Sequence, residues 1–192
     1  MKSAIAVAAV AGLATVASAQ TGTVTLTAGG MTGSISAASG DMITINVYAA
    51  SDSGPGVFSF DIQVTSGDGG FSVSGGPTVG GAYVFGWAGS ALANGATGLG
   101  GSTDIFGPTF DAPLDGLLLY SFQVTYNGGT VTFNSSDGAG PNPALQTVTE
   151  GGIVLLPAQF ASIVHDSLTI TPAPSGIALL GLGGLVATRR RR

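Results

Sequence analysis

The stretch GVFSFDIQVT, residues 56–65, decides the fold. Phe58, Phe60, Ile62 and Val64 fall on one side of an extended chain, and Ser59, Asp61, Gln63 and Thr65 fall on the other. Successive side chains of a strand point to opposite faces, so this alternation predicts a strand with one face in a core and one in water. The pattern recurs in both directions. MITINVY carries Ile43, Ile45 and Val47 on one face, and LLLYSFQVTY carries Leu118, Tyr120, Phe122, Val124 and Tyr126. TVTFN follows Asn127-Gly128-Gly129, whose residue types accept positive φ and so predict a hairpin turn. GTVTLTA, AYVFGWAG, QTVTEGGIVLL and DSLTIT supply further candidates. No segment after residue 19 keeps a helical period for three turns. About eight or nine strands separated by turn residues predict an all-β fold, an antiparallel β-sandwich.

The thirty-three glycines suit many tight turns. SALANGATGLGGSTDIFGPTFDAPLDG, residues 90–116, is the least regular part and is expected to be a long loop with a short strand at Asp104-Ile105-Phe106. The sheet is expected to stop at Thr171-Pro172-Ala173-Pro174-Ser175, because two prolines two apart cannot continue a ladder.

Both ends read as addresses. In MKSAIAVAAVAGLATVASA, Lys2 is a positive start, Ala4 to Val16 an apolar run too short for a stable span, and Ala17-Ser18-Ala19 a small-x-small cleavage site before Gln20. Residues 1–19 are therefore expected to be a secretory signal helix, 20–171 the exported sandwich, and 172–192 a separate C-terminal segment. Export implies a Sec-type machinery as the first partner.

Charge is distributed in one direction only. The exported region holds all ten acidic residues and neither lysine nor arginine, a formal charge of −10. Binding to nucleic acid relies on cations that displace counterions from phosphate, so nucleic acid is excluded as a partner. The same lack removes lysine Schiff bases and arginine phosphate clamps. There is no cysteine, hence no disulfide, thiol nucleophile or thiolate metal site. An ordinary hydrophobic core must hold the domain, and roughly 150 residues can bury one.

Every arginine lies at the C terminus. Gly176 to Ala187 (GIALLGLGGLVA) is uncharged and apolar, and Arg189, Arg190, Arg191 and Arg192 follow. Moving arginine across hydrocarbon is costly, so the cluster is expected to stay on the cytoplasmic side and stop the chain during export. The apolar run, expected to be a short apolar helix although its four glycines are poor helix formers, is short against the about twenty residues of a full span, and bilayer thinning with arginine snorkelling closes some of that gap. Pro172-Ala173-Pro174, the Gly/Leu-rich run and the terminal arginines together resemble the PEP-CTERM sorting signal of bacterial envelope proteins, with Ala173 where that signal has a central Glu. The resemblance implies an exosortase-like membrane enzyme, cleavage near the proline motif, and release or transfer to the cell surface or extracellular matrix. The exported region also resembles the cohesin-like sandwiches of bacterial surface proteins, through GDMITINVYAASDSGPGVFSFDIQV and LDGLLLYSFQVTYNGG.

Chemistry is sparse. His165, the only histidine, sits beside Asp166 and near Ser167, but strand neighbours point to opposite faces, so the two cannot readily pair, and an exposed strand histidine is expected. Asp104, Asp111 and Asp115 lie in the irregular segment without the aromatic lining of a sugar-hydrolysing cleft, and Trp87 is expected in the core. Calcium is the alternative to no cofactor at all, with oxygen-rich turns at Ser51-Asp52-Ser53-Gly54, Gly67-Asp68-Gly69-Gly70 and Asn134-Ser135-Ser136-Asp137-Gly138; none has EF-hand spacing. The sequence reads as a non-catalytic, adhesive or structural surface protein. The alternative is a binding module for envelope or matrix polysaccharide or protein, with residues 90–116 making the contacts.

Overall fold

The computed structural model describes residues 20–52, 57–81, 85–101, 116–139, 145–151 and 154–174. The described residues form thirteen strands: β1 (Thr21–Ala28), β2 (Gly33–Ala37), β3 (Met42–Ser51), β4 (Ser59–Thr65), β5 (Phe71–Val79), β6 (Phe85–Leu92), β7 (Gly95–Gly101), β8 (Leu117–Tyr126), β9 (Val131–Asp137), β10 (Leu145–Gly151), β11 (Val154–Gln159), β12 (Ser162–His165) and β13 (Ser167–Pro172). They make a β-sandwich. One sheet runs β12-β1-β3-β8-β5; the other runs β11-β10-β4-β9-β13-β2, with β7 on the other flank of β4 and β6 beyond it.

The alternation expected of the sequence is what builds the core. Val24 and Leu26 of β1, Ile45 and Val47 of β3, and Phe122 and Val124 of β8 line the inner face of the first sheet, all buried. Phe60, Ile62 and Val64 of β4, Val131 and Phe133 of β9, and Leu168 and Ile170 of β13 oppose them from the second. A chain of aromatic rings crosses between the sheets. Phe71 meets Phe133 edge-on at 4.7 Å between centroids, Phe133 meets Phe122 at 6.1 Å, and Tyr120 lies 6.1 Å from both Phe60 and Trp87. Within about 7 Å such rings attract beyond their buried area. Trp87 is half-buried against this cluster, as the sequence suggested.

Several expectations are corrected. The strands number thirteen rather than eight or nine, because β2, β5, β7 and β12 are short, glycine-rich or weakly alternating. Pairing is mostly antiparallel, but β12 lies parallel to β1 and β2 parallel to β13. Asn127-Gly128-Gly129 does make a turn with positive φ at both glycines, yet it does not close a hairpin. β8 belongs to the first sheet and β9 to the second, so the turn carries the chain across the core. Residues 95–101 of the expected long loop form β7, paired along the whole of β4; residues 102–115, with the expected strand at Asp104-Ile105-Phe106, lie outside the described residues. On β8 the inward residue is Leu119, not Leu118, because the β3–β8 register shifts between Val47 and Tyr48. The extra residue of such a bulge moves the following side chains to the other face. Asp61, expected in water, is buried, since β4 has neighbours on both flanks and Gly138 packs against its carboxylate. The last strand ends at Pro172, as the proline pair required. Among the described residues no helix is long and apolar enough to cross a membrane; the signal segment and the apolar tail lie outside them.

One close approach ties β7 to the aromatic cluster. A Cβ on Gly98 would stand 2.7 Å from the Tyr120 ring and 3.1 Å from that of Trp87. The Gly98→Ala variant is expected to lose about 1–3 kcal/mol by overpacking, whereas Gly76→Ala, which meets nothing within 4 Å, stays within about 1 kcal/mol of the parent. Urea unfolding of the two variants checks this.

Candidate functional site

His165, at the end of β12, faces inward with Val24, its pairing partner on β1. Its Nε2 lies 2.9 Å from Oδ1 of Asp137, at the end of β9 in the opposite sheet. The expected exposed histidine is therefore a half-buried one, a quarter accessible, joining the two sheets at their edge. Asp166 is not its partner, as strand geometry required; Asp166 Oδ1 accepts the Ser167 N–H at 2.8 Å. Ser167 Oγ, His165 and Asp166 thus form no relay. Asp137 is 71% exposed, and a pair so open to solvent contributes at most about 1 kcal/mol.

The turn carboxylates are occupied by the backbone. Asp68 Oδ2 accepts the Thr132 N–H at 2.7 Å, tying the β4–β5 turn to β9. Asp52 Oδ1 accepts the Thr21 N–H at 2.9 Å and so caps the start of β1. Asp41 Oδ2 accepts the Ala38 N–H at 2.8 Å in the turn before β3. Each replaces a missing ladder partner at a strand end, which is the ordinary work of Asp in turns. Among the described residues no three Asp, Glu or His side chains converge on a point that would hold a metal ion. Asp104, Asp111 and Asp115 lie outside the described residues.

A polar spot inside the fold escaped the sequence reading. The Tyr120 hydroxyl, in the first sheet, donates to the Ile62 carbonyl of β4 in the second at 3.1 Å. Burial, and then the neighbouring Asp61 carboxylate, push this phenol well above the usual tyrosine range. The alternation in FSFDIQV gave no signal of it, because it puts Asp61 on the face opposite Phe60 and Ile62.

Gln20, the expected first residue after signal cleavage, is buried; its side-chain amide donates to Ser51 Oγ, and its carbonyl accepts the Ala161 N–H at 3.0 Å. Ala17 and Ala19 lie outside the described residues. Pro172, Ala173 and Pro174 are exposed, and the Ala173 N–H makes a last bond to the Ala37 carbonyl. Arg189, Arg190, Arg191 and Arg192 lie outside the described residues.

No protein-family model matches the chain, and no curated protein matches it in sequence. Solved structures do match in shape. The sixth cohesin of scaffoldin B from Acetivibrio cellulolyticus, solved in complex with a mutant Cel5 dockerin, is 8% identical over 80% of this chain and 99% of that one, with a TM-score of 0.50. The seventh ScaB type I cohesin from Pseudobacteroides cellulosolvens is 9% identical over 81% and 95%, with a TM-score of 0.48. A type II cohesin domain from the Acetivibrio cellulolyticus cellulosome is 12% identical over 77% and 95%, with a TM-score of 0.47. The likeness is one of fold, and the fold is a cohesin-like β-sandwich.

The Tyr120 environment has a pH consequence. With its folded pKa raised, the unfolded state holds fewer protons above the free tyrosine value near ~10, so stability is complete below that pH and falls as pH rises through it. Ultraviolet difference titration is expected to show Tyr120 ionising only together with unfolding. Its ionisation in a chain that keeps its folded near-ultraviolet dichroism would contradict this.

Proposed function

We propose that the chain is a non-catalytic protein of the bacterial envelope: a β-sandwich exported through a Sec-type machinery, held or processed at its C terminus by an exosortase-like membrane enzyme, and adhesive or structural at the cell surface or in the matrix. The observation that carries the reading is the placement of cations. Arg189–Arg192 follow closely behind an apolar run, and neither Lys nor Arg occurs from residue 3 to residue 188. A positive cluster behind an apolar segment retains the C terminus on the cytoplasmic side while the domain stands outside. The exposure of Pro172 at the end of β13, and of Ala173 and Pro174 after it, supports it, since a processing enzyme would meet them at the edge of the sandwich. No cofactor enters this reading.

A second reading, a protein-binding module, is favoured by the architecture shared with the scaffoldin B cohesin, which was captured with a dockerin bound. The two readings are compatible, because an exported sandwich can be structural through what it binds.

Intact mass of the protein recovered from each cell fraction tests the first reading. The expected species is in the envelope or outside the cell, begins at Gln20, and either keeps the tail in the membrane or ends near Pro174. Replacing Arg189–Arg192 by serine is expected to abolish the retained or processed form. A soluble cytosolic species with both termini intact, never associated with membrane, would overturn the reading.

A further inference from the structure

The outer face of the first sheet has no charge. Thr21, Thr23, Thr25 and Thr27 of β1, Thr44, Asn46 and Tyr48 of β3, and Ser121, Gln123 and Thr125 of β8 alternate with the buried residues of their strands. At one end of this face lies a groove of about 450 Å³, open to solvent and lined by Tyr48, Thr25, Thr27, Thr32, Gly30 and Gly116 among others. We propose that this groove binds a neutral sugar ring of a polysaccharide, with Tyr48 as its aromatic wall and the three threonine hydroxyls as its hydrogen-bonding partners.

Three observations carry the proposal. The first is chemical. Small-molecule sites combine apolar or aromatic surface with a few convergent polar groups that fix orientation, and this lining offers one phenol ring, three hydroxyls and no ionisable carboxylate, imidazole or cation. A neutral polyol matches that set. An anionic polymer would meet no cation on a region of formal charge −10.

The second is the state of the hydroxyls. Some hydroxyls of the two outer faces bond to one another or to an amide: Ser162 to Thr21 at 3.3 Å, Thr132 with Thr169 at 3.3 Å, Ser36 with Thr171 at 3.3 Å, and Gln123 to Thr44 at 3.4 Å. Among the described residues, the side-chain hydroxyls of Thr25, Thr27, Thr32 and Tyr48 make no protein hydrogen bond. Their donors and acceptors face solvent at one place.

The third is backbone. The register shift between β3 and β8 falls between Val47 and Tyr48, and bulges re-aim the side chains beside them. Gly116 has φ +75°, where a side chain is strained, and a Cβ there would stand 3.1 Å from the Ala49 carbonyl oxygen and 3.4 Å from Tyr48 Cβ. Gly30, at φ +78°, has nothing within 4 Å of where its Cβ would be. Both glycines thus line the groove beside Tyr48 with bare backbone.

The inference stands on the groove and is independent of the export reading. The experiment is affinity electrophoresis of the purified full chain, in a detergent without a sugar headgroup, through gels containing hydroxyethylcellulose, dextran, soluble starch or the anionic polymer alginate. Retardation by at least one of the neutral polymers and none by alginate is expected. Tyr48→Ala is expected to weaken the retardation at least about tenfold, Tyr48→Phe to retain most of it, and Thr27→Val, which keeps the strand's shape, to weaken it several-fold. Melting temperature certifies the fold of each variant, and should Tyr48→Ala not fold, Thr25→Val and Thr27→Val decide. No retardation by any neutral polymer, retardation by alginate of equal strength, or retardation unchanged in the folded variants would each overturn the proposal.

Discussion

A chain with ten carboxylates and no lysine or arginine between residues 3 and 188 must satisfy its acids some other way. In the described residues they turn to the backbone. Asp41, Asp52, Asp68 and Asp166 each accept a main-chain N–H, in turns or at strand ends where the ladder has no partner to offer. Hydrogen bonds to a charged acceptor are stronger than neutral ones, and each also fixes where a strand begins or a turn closes. Asp137, which meets His165, is itself largely open to water. Cohesion then falls to the apolar interior.

That interior is joined across its two layers by rings and by one hydroxyl. Phe71, Phe133, Phe122 and Tyr120 form a continuous row of contacts, and Tyr120 reaches across to the Ile62 carbonyl. Once the inner faces are committed to this row, the outer faces are left to threonine, serine, asparagine and glutamine. Of the described aspartates, Asp41, Asp52, Asp68, Asp137 and Asp166 sit at strand ends and turns, and Asp61 lies within β4. A neutral face on an acidic body follows, and the groove beside Tyr48 lies on it.

Much of this was legible, and the limits have physical reasons. Alternation in FSFDIQV, MITINVY and the later half of LLLYSFQVTY placed nearly the whole core, because one buried face imposes period two. β7, GATGLGG, carries little alternation to read, since glycine contributes no side chain to either face. The turn at Asn127-Gly128-Gly129 was visible, but local turn chemistry says nothing about which sheet the next strand joins. Leu118 and Leu119 exchanged roles because a bulge is set by pairing with another strand. As for sites, the separation of His165 from Asp166 followed from strand geometry. Its contact with Asp137, 28 residues away, did not. Nor did the groove, whose lining comes from β1, β3, the turn at Gly30 and Gly116.

The dependence of stability on salt tests the central claim most directly. In a fold held by its apolar core and by carboxylates bonded to main-chain N–H groups, the remaining long-range electrostatics are repulsive. Urea unfolding at neutral pH, followed from about 20 mM to about 0.3 M sodium chloride, a range over which the screening length shortens severalfold, is expected to show stability rising as that repulsion is screened. Stability that falls over the same range would mean attractive charge pairs hold the sandwich together, and would contradict the account.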